Sequence, residues 1–399
     1  MVTLTSADNA LKKVYLEVIA NQLNDNVNPF LACIEKTSRD VWGKEIVKVA
    51  PFGINGGIGA GDEAGDLPAS AGNNYVKFVS ELKNLYGKIE ISDKAIRASE
   101  SSIGSFVNLL DAEMYGLLRA SQFNVGRMLF GDGTGKLATI TDVTEGVYTF
   151  DTVKNVIEGM VVDFYAAAGT SPLKTTRITA VDRANKTIAF ADALPETVVA
   201  TGYITVQNSK GKELTGLGAI FGTGNLYGVN RSNYTYMTPY KKTSVGAISD
   251  DVIQEAIDYL DENIGSQVDY ITCSSNVKRL YQSYLASQKR NIDVMELQGG
   301  HKTISFNGIP VVSDRFVEDG TMYLLNSKDF ALHQLCDWQW LQGEDGRILR
   351  QNANSATYSA TLVKYADLIC NRPAGQAKLS GITAPVEETE SEETVSDQD

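Results

Sequence analysis

The sequence predicts an α+β protein built from several packing units, and three observations support this prediction. Apolar residues at spacings of three and four indicate a long helix at Ser105–Phe130. Two alternating runs on either side of a glycine-rich stretch indicate a long two-stranded arm at 44–92. Short strand-like runs fill residues 137–210 and precede an alternation of helices and strands, and 399 residues are too many for a single hydrophobic core.

The predicted long helix has a start signal, an apolar stripe and a stop signal. Ser105 is suited to accept a hydrogen bond from a first-turn amide, and Gly131 stands where a left-handed residue often closes a helix. At 1.5 Å per residue the helix is about 39 Å long, so its stripe needs a sheet or another helix to cover it. The stripe consists of Phe106, Leu109, Leu110, Met114, Leu117, Leu118, Val125, Met128 and Leu129.

The predicted arm ends in a flexible, acidic tip. Seven of the twenty residues Gly53–Gly72 are glycine, and none of the twenty is lysine or arginine. The first strand is predicted at Lys44–Ala50, and an extended run begins at Tyr75. A two-stranded ribbon is only marginally stable alone in water, and this one has few apolar residues of its own. We therefore expect the arm to lie on another molecule, and a surface hairpin without a partner is the alternative.

The other segments are predicted from their patterns. Residues 5–24 indicate an amphipathic helix, and the evenly spaced short strands of 137–210 are typical of a small barrel or sandwich. Residues 212–246, rich in glycine, tyrosine and asparagine, are predicted to form a long connecting loop. Ser249 is a good capping residue for a helix that opens an α/β unit.

The net charge of −13 is concentrated at the C-terminal end. Residues 385–399 contain seven acidic residues and no basic one, so they hold more than half of the net charge. This composition predicts a disordered tail, which is either a solvated strip or a docking strip for an accessory protein. A chain with this much negative charge is also a poor candidate for tight nucleic-acid binding through bulk electrostatics.

We find no pattern that indicates a catalytic, metal or cofactor site. The two histidines, His301 and His333, lack metal-ligand spacing, and the four cysteines stand far apart, which favours reduced, buried thiols. Gly131–Lys136 (GDGTGK) is similar to a phosphate loop but lacks the earlier glycine and the Ser or Thr after the lysine. The sequence also shows no secretory signal and no apolar run of membrane-spanning length. We therefore predict that the chain is not an enzyme and needs no cofactor.

The order and lengths of these parts resemble those of a known family. Phe306–Leu332 (FNGIPVVSDRFVEDGTMYLLNSKDFAL) resembles the axial domain of the major capsid proteins of tailed bacteriophages, which have the Hong Kong 97-type capsid fold. Tyr358–Gly381, which includes LVKYADLICNRPAGQAKLSGI, is similar to the closing strand of their peripheral domain. The resemblance covers about residues 1–384 and rests on segment order rather than on one motif.

The resemblance implies a division of the chain. The implied parts are an N-terminal arm and helix at 1–43, an extended loop at 44–92, a peripheral domain with a spine helix at 93–136, an inserted small β-barrel-like domain at 137–210, an axial α/β domain at 211–346, a returning peripheral strand at 347–384 and a disordered acidic tail at 385–399.

The resemblance also implies a function. It implies a structural capsid protein that self-assembles as hexamers and pentamers into an icosahedral shell around double-stranded DNA. The implied partners are further copies of the chain, a portal protein, a separate scaffolding protein, a decoration protein and loosely held DNA, without a membrane. The implied location is the virion, assembled in the cytoplasm of a bacterial host. The alternatives are an encapsulin-like compartment with enzyme cargo and a β-rich component of a phage tail or a cell-surface adhesin.

For contacts between subunits, we hypothesise that acids of the arm tip pair with bases of an adjacent copy. Each exposed pair would contribute under about 1 kcal/mol, but the contact is repeated over a shell. Glycine would let the tip adopt different backbone angles at non-equivalent positions. The tip has no lysine, so the lysine–asparagine crosslink of some family members is not expected there. The residues of this hypothesis are Gly57, Gly61, Asp62, Glu63 and Asp66 in the tip and Arg97, Arg119 and Arg127 as their partners.

Overall fold

The computed structural model describes residues 28–95, 103–288, 294–296, 302–344 and 346–385. The chain divides into two compact units. The first comprises the residues up to Thr238 together with Ser327–Pro373, and the second comprises Pro239–Asn326 together with the residues from Ala374. The predicted helix at 5–24 and the acidic tail beyond Pro385 lie outside the described residues.

The described residues form helices and strands in the mixture that the sequence predicts. The α-helices are α1 (Pro29–Cys33), α2 (Ile103–Phe130), α3 (Leu217–Ile220), α4 (Asp250–Ile264) and α5 (Ser275–Ser287). Short 3₁₀ helices lie at Arg231–Asn233, Thr235–Met237, Ser327–Asp329 and Pro373–Gly375. The strands before α2 are β1 (Glu35–Thr37), β2 (Val41–Trp42), β3 (Glu45–Phe52), β4 (Asn74–Glu81) and β5 (Lys83–Ser92).

The strands after α2 fall into two groups. The first group is β6 (Lys136–Thr144), β7 (Val147–Phe150), β8 (Val161–Tyr165), β9 (Lys174–Asp182), β10 (Thr187–Phe190) and β11 (Tyr203–Val206). The second group is β12 (Tyr240–Lys242), β13 (Gly246–Ala247), β14 (Tyr270–Cys273), β15 (Val294–Glu296), β16 (Lys302–Phe306), β17 (Ile309–Ser313), β18 (Met322–Leu325), β19 (Phe330–Trp340), β20 (Arg350–Gln351), β21 (Thr357–Cys370), β22 (Ala377–Leu379) and β23 (Ile382–Thr383).

Helix α2 confirms the predicted long helix but begins earlier than predicted. Because it starts at Ile103, Ser105 lies within its first turn and is not the capping residue. The second half of the predicted stripe is buried, including Met114, Leu118, Val125, Met128 and Leu129. A sheet covers it: β19 pairs with β1 and β21, and β21 also pairs with β5 and β20. Gly87 of β5 permits this approach, because a Cβ there would lie 2.8 Å from Leu117 Cδ1.

The segment after α2 is a closed barrel with the strand order β10-β7-β6-β11-β8-β9. Its centre is filled by buried side chains such as Ile140, Phe164 and Ile204. The sequence predicts the later strands but misses β6 and β7. A bulge between Ile140 and Asp142 breaks the alternation of apolar and polar residues there, so the usual strand pattern is lost.

The GDGTGK stretch forms part of the neck that joins the barrel to α2. Gly135 has φ +80, and a Cβ at this position would lie 2.6 Å from the carbonyl oxygen of Ser209. Glycine is therefore required by the close passage of the two chain segments. Gly135 therefore has a structural role in the neck.

The second unit is a seven-stranded sheet in the order β12-β22-β18-β14-β17-β16-β15. Helices α4 and α5 contribute Ile253, Leu260 and Tyr281 to its core. The predicted cap of α4 is confirmed, because the Ser249 side chain accepts a hydrogen bond from the amide of Val252. A turn at 307–308 joins β16 and β17.

The boundaries of the two units differ from the division that the resemblance implied. The resemblance places residues 211–238 and 327–346 in the axial domain, but they belong to the first unit. Strand β19 pairs with β1 and β21, which ties it to that unit. Conversely, β22 and β23 come after the predicted return to the peripheral domain, yet they pair with β18, β12 and β13 of the second unit.

Candidate inter-subunit surface

The arm is a regular antiparallel ribbon of β3 and β4. Eight residue pairs connect the strands, from Glu45 opposite Glu81 to Phe52 opposite Asn74. One face of the ribbon is buried on the first unit, where Ile46 and Phe78 are almost inaccessible. The predicted arm at 44–92 is too long, because only β3 and β4 form the ribbon and β5 pairs with β21 in the central sheet. The ribbon is also supported by its own chain more than expected.

The tip beyond the ribbon, residues 53–73, is exposed along nearly its whole length. Three apolar side chains are 75–91% exposed there: Ile54, Ile58 and Leu67. The contacts that hold the tip are local, and the Asn55 side-chain amide donates to Asn73 Oδ1 over 3.0 Å. Exposed apolar side chains that form a contiguous patch often mark a contact with a partner, which makes the tip a candidate contact surface.

An aromatic cluster fixes the ribbon where the tip begins. The Phe52 ring stacks on Tyr236 with centroids 5.0 Å apart, and it meets the edge of Tyr234 at 5.8 Å. Burial raises the pKa of the Tyr236 hydroxyl to about 12. On the other strand, the amide of Val79 donates to the carbonyl oxygen of Tyr227 over 3.0 Å. The arm is thus held on its own chain as far as Phe52, and the tip starts from a fixed point.

Asp367 connects the root of the arm to the central strand β21. Its fully buried carboxylate accepts hydrogen bonds from Ser80 Oγ (2.6 Å), the Thr215 amide (2.7 Å) and Thr215 Oγ1 (2.9 Å). Burial raises the pKa of the Asp367 carboxyl, and these hydrogen bonds act in the opposite direction because they stabilise the charged form. The arm, the loop before α3 and β21 are therefore joined through one buried carboxyl group.

Arg231 organises the loop that carries the aromatic cluster. Its guanidinium donates to the carbonyl oxygens of Gly224 (2.7 Å), Ile220 (2.6 Å) and Met237 (3.2 Å) and also to that of Ala219. Burial lowers the pKa of Arg231. The sequence predicts only a long loop here. A lone arginine in a glycine- and tyrosine-rich stretch is a weak signal, because its partners are backbone groups that no sequence pattern identifies.

The predicted contact residues of the tip lie together, and their structural roles differ. Asp62, Glu63 and Asp66 are exposed, and their carboxylates have no ion-pair partner within the described part of the chain. A Cβ on Gly57 would lie 3.2 Å from the Ala71 amide nitrogen, a contact tighter than most, so glycine eases the approach of the two flanks here. Gly61 has ordinary room around it.

The prediction that Arg127 is one of the basic partners of the tip is wrong. It is only 4% exposed, and its guanidinium binds both oxygens of Glu213 at 2.8 and 2.5 Å within the same chain. Because Arg127 lies on the buried side of α2, its ion pair connects the helix to the barrel neck. Arg119 is exposed on α2, in keeping with the hypothesis, and Arg97 lies outside the described residues.

His333 is packed into the first unit and is almost inaccessible. Its Nδ1 lies 2.9 Å from the carbonyl oxygen of Arg39, so Nδ1 carries the proton of the neutral ring. Its Nε2 is buried and has no hydrogen-bond partner among the described residues. Burial lowers the pKa of His333, which the nearby Lys48 also favours, while the Arg39 carbonyl, Asp40 and Glu35 oppose the shift.

We expect the free energy of unfolding to fall as the pH decreases through about 6.5, the ordinary pKa of histidine. The unfolded chain takes up a proton there, whereas the folded chain would have to bury an unpaired N–H at Nε2. Urea unfolding between pH 7.5 and 5.5 measures this. His333→Asn keeps a donor for Arg39 and should flatten the dependence. An unchanged slope in that variant would contradict the role of His333.

The described residues hold no cluster of His, Cys, Asp and Glu that could bind a metal ion. None of the helices in these ranges combines the length and apolarity that a membrane span requires. Of the four cysteines, Cys273 and Cys370 are buried as predicted, but Cys33 is exposed.

Known proteins resemble this chain in structure but not detectably in sequence. No protein-family profile and no curated protein matches the sequence. The capsid asymmetric unit of cyanophage A-1(L) aligns with a TM-score of 0.54 and 13% identity over 89% of this chain and 92% of that one. Weaker likenesses, with TM-scores of 0.47 and 0.45, are the SrpI encapsulin complex of Synechococcus elongatus (11% identity, 92% of this chain and 95% of that one) and the satellite phage P4 procapsid (10%, 92% and 98%). The chain has the fold of a phage capsid protein.

Proposed function

We propose that this chain is the major capsid protein of a tailed bacteriophage and that its copies assemble into an icosahedral shell around double-stranded DNA. The observation that carries the proposal is the arm. A chain with a phage capsid fold bears a ribbon fixed to its body as far as Phe52 and, beyond it, a tip with exposed Ile54, Ile58 and Leu67. Because the tip starts from a fixed point, it is suited to bind a second molecule in a defined position.

A shell role agrees with the charge of the arm tip. A closed assembly needs contacts spread over the chain, and heterologous contacts generate rings when the rotation between copies closes. The tip carries three carboxylates and no base, so it is suited to meet basic groups on another copy. In this role the further partners are a portal protein, a separate scaffolding protein, a decoration protein and loosely held DNA, and the site of action is the virion after assembly in the host cytoplasm.

Sedimentation of the chain after expression in bacteria tests the proposal. We expect particles of many subunits, and their absorbance ratio at 260 and 280 nm reports the contents. Nucleic acid inside the particles of a complete phage lysate supports a DNA-containing shell. A constant protein cargo without nucleic acid would instead identify an encapsulin-like compartment, and monomers in every preparation would contradict both.

Reversing the acids of the tip is expected to block assembly. The variant carries Asp62→Lys, Glu63→Lys and Asp66→Lys, which turns a local charge of −3 into +3. Because all three side chains are exposed, the chain should fold as before. Electron microscopy of the purified variant measures shell formation, and circular dichroism measures folding. Glu145→Lys with Glu196→Lys, on the barrel, is the control for added charge, and normal shells from the tip variant would refute the contact.

A further inference from the structure

Strand β5 lies at an edge of the sheet that covers α2. All ten of its residues, from Lys83 to Ser92, are paired with β21, and within the described part of the chain no strand pairs with its other side. In an antiparallel ladder alternate residues direct their N–H and C=O groups away from the partner strand. Half of the residues of β5 therefore present both backbone groups along this unpaired side, which we refer to as the β5 edge.

The β5 edge lacks most of the features that keep an edge strand from pairing. Proteins commonly protect such strands with proline, with a bulge or with a very short length. Strand β5 contains no proline, its register with β21 has no shift, and it is ten residues long. Its alternation is also regular, with Ile89 and Ile91 buried and with Lys88 and Glu90 exposed on the opposite face. A long, regular edge of this kind is a template for a further strand.

The charges of β5 make this edge complementary to itself. If two copies of β5 pair in antiparallel fashion about Ile89, Lys88 of each copy lies directly opposite Glu90 of the other. Within one copy these two charged groups are 3.6 Å apart, so the four charges alternate in sign both along and across the two strands. Opposite charges that face each other across two strands stabilise their pairing.

The same charges select one register. Side chains alternate between the two faces of a sheet, so the nearest registers that keep the apolar row on its face differ by two residues. One of these registers places Lys88 opposite Lys88 of the second copy, and the other places Glu90 opposite Glu90. Like charges directly opposite each other are destabilising. The register centred on Ile89 is therefore favoured over both of its neighbours.

We propose that the β5 edge of one copy pairs with the β5 edge of a second copy, antiparallel and with Ile89 at the two-fold axis, so that the two sheets become one continuous sheet. The axis is perpendicular to the sheet, because antiparallel strands in one sheet are related in this way. Both α2 helices then lie on the same face of the joined sheet, and the charged row of Lys88 and Glu90 lies on the other.

The pairing goes beyond the proposed function, since it joins two copies whether or not a shell forms. A two-fold contact uses the same surface on both copies, so it joins two of them and does not propagate. Head-to-tail contacts, in contrast, generate rings. If the proposed shell function holds, a two-fold contact of this kind is suited to join one ring to the next.

Disulfide trapping in the full chain tests the register. The background variant carries Cys33→Ser, because Cys33 is exposed and could form unrelated bridges. After oxidation, a chain that also carries Lys88→Cys and Glu90→Cys should run as a covalent dimer on a non-reducing gel, because residues 88 and 90 of the two copies are directly opposite. Each cysteine alone should give little dimer, since residue 88 is diagonal to residue 88 of the second copy, beyond the reach of a disulfide.

Charge reversal provides a second measurement, by analytical ultracentrifugation of the unassembled chain. Lys88→Glu alone and Glu90→Lys alone place like charges opposite each other, and each should weaken dimer formation at least tenfold. The double variant with both changes restores the opposite-charge pairs and should dimerise within twofold of the natural chain. Lys212→Glu and Glu196→Lys, at exposed positions outside β5, are the controls for altered charge and should dimerise like the natural chain.

The outcomes separate this inference from the shell function. Little covalent dimer from the double-cysteine variant, equal yields from the single cysteines, or a charge-swapped double variant no better than the single ones would overturn the pairing, and shells could still form. Covalent dimers in the expected register from a chain that forms no shells would support the pairing and count against the shell function alone.

Discussion

Replacing residues 53–73 with an Asn-Gly turn is expected to abolish shell formation and to leave a folded monomer. The ribbon ends at Phe52 and Asn74, and a two-residue turn of this type connects antiparallel strands without distortion. The residues removed contribute nothing to the buried core. The ribbon remains held by the stack of Phe52 on Tyr236 and by the bond from Val79 to Tyr227.

The measurement is gel filtration with light scattering, and urea unfolding shows whether the monomer keeps its stability. A matched variant with Ile54→Ser, Ile58→Ser and Leu67→Ser keeps the length of the tip and removes its apolar groups. If length alone matters, only the shortened chain fails to assemble. Shells from the shortened chain would contradict the role of the arm.

Removing one partner of the ion pair between Arg127 and Glu213 is expected to cost about 3–5 kcal/mol of the free energy of unfolding. Both side chains are buried, and the guanidinium also donates to Asn124 Oδ1 over 2.7 Å. Arg127→Ala leaves the Glu213 carboxylate without its counter-charge in a place that water does not reach. The same change opens a cavity between α2 and the barrel neck, which adds to the loss.

Urea unfolding of the unassembled chain measures this effect. The double variant Arg127→Met with Glu213→Leu is the control, because it replaces both charges with apolar groups of similar length. Its stability should lie well above that of Arg127→Ala and close to that of the natural chain. A loss below 1 kcal/mol in the single variant would show that the pair is hydrated and that its buried geometry does not persist in solution.

Regular patterns in the sequence are sufficient to predict much of the fold. Helix α4 combines a capping serine with an apolar stripe, so both its start and its buried face follow from local chemistry. The long stripe of α2 likewise predicts its extent, although Ser105 suggests a start two residues too late. The arm follows from two alternating runs around a glycine-rich stretch, because such a stretch cannot continue a strand.

The remaining features depend on contacts between distant segments. In the sequence Arg127 resembles a surface base. Its partner Glu213 is 86 residues away, and no local pattern indicates that the two side chains pair. The exposure of Leu335 is equally hidden in the sequence, since it arises only through a bulge in β19. Similarly, strands β22 and β23 return to the second unit through pairings that sequence order does not determine.

Electron microscopy of the purified natural chain tests the central claim most directly. We expect closed shells tens of nanometres across, or sheets and tubes of capsid-like rings, each subunit reaching a neighbour through its arm. Monodisperse single chains at every concentration and salt condition would contradict the claim that this protein is the subunit of a shell.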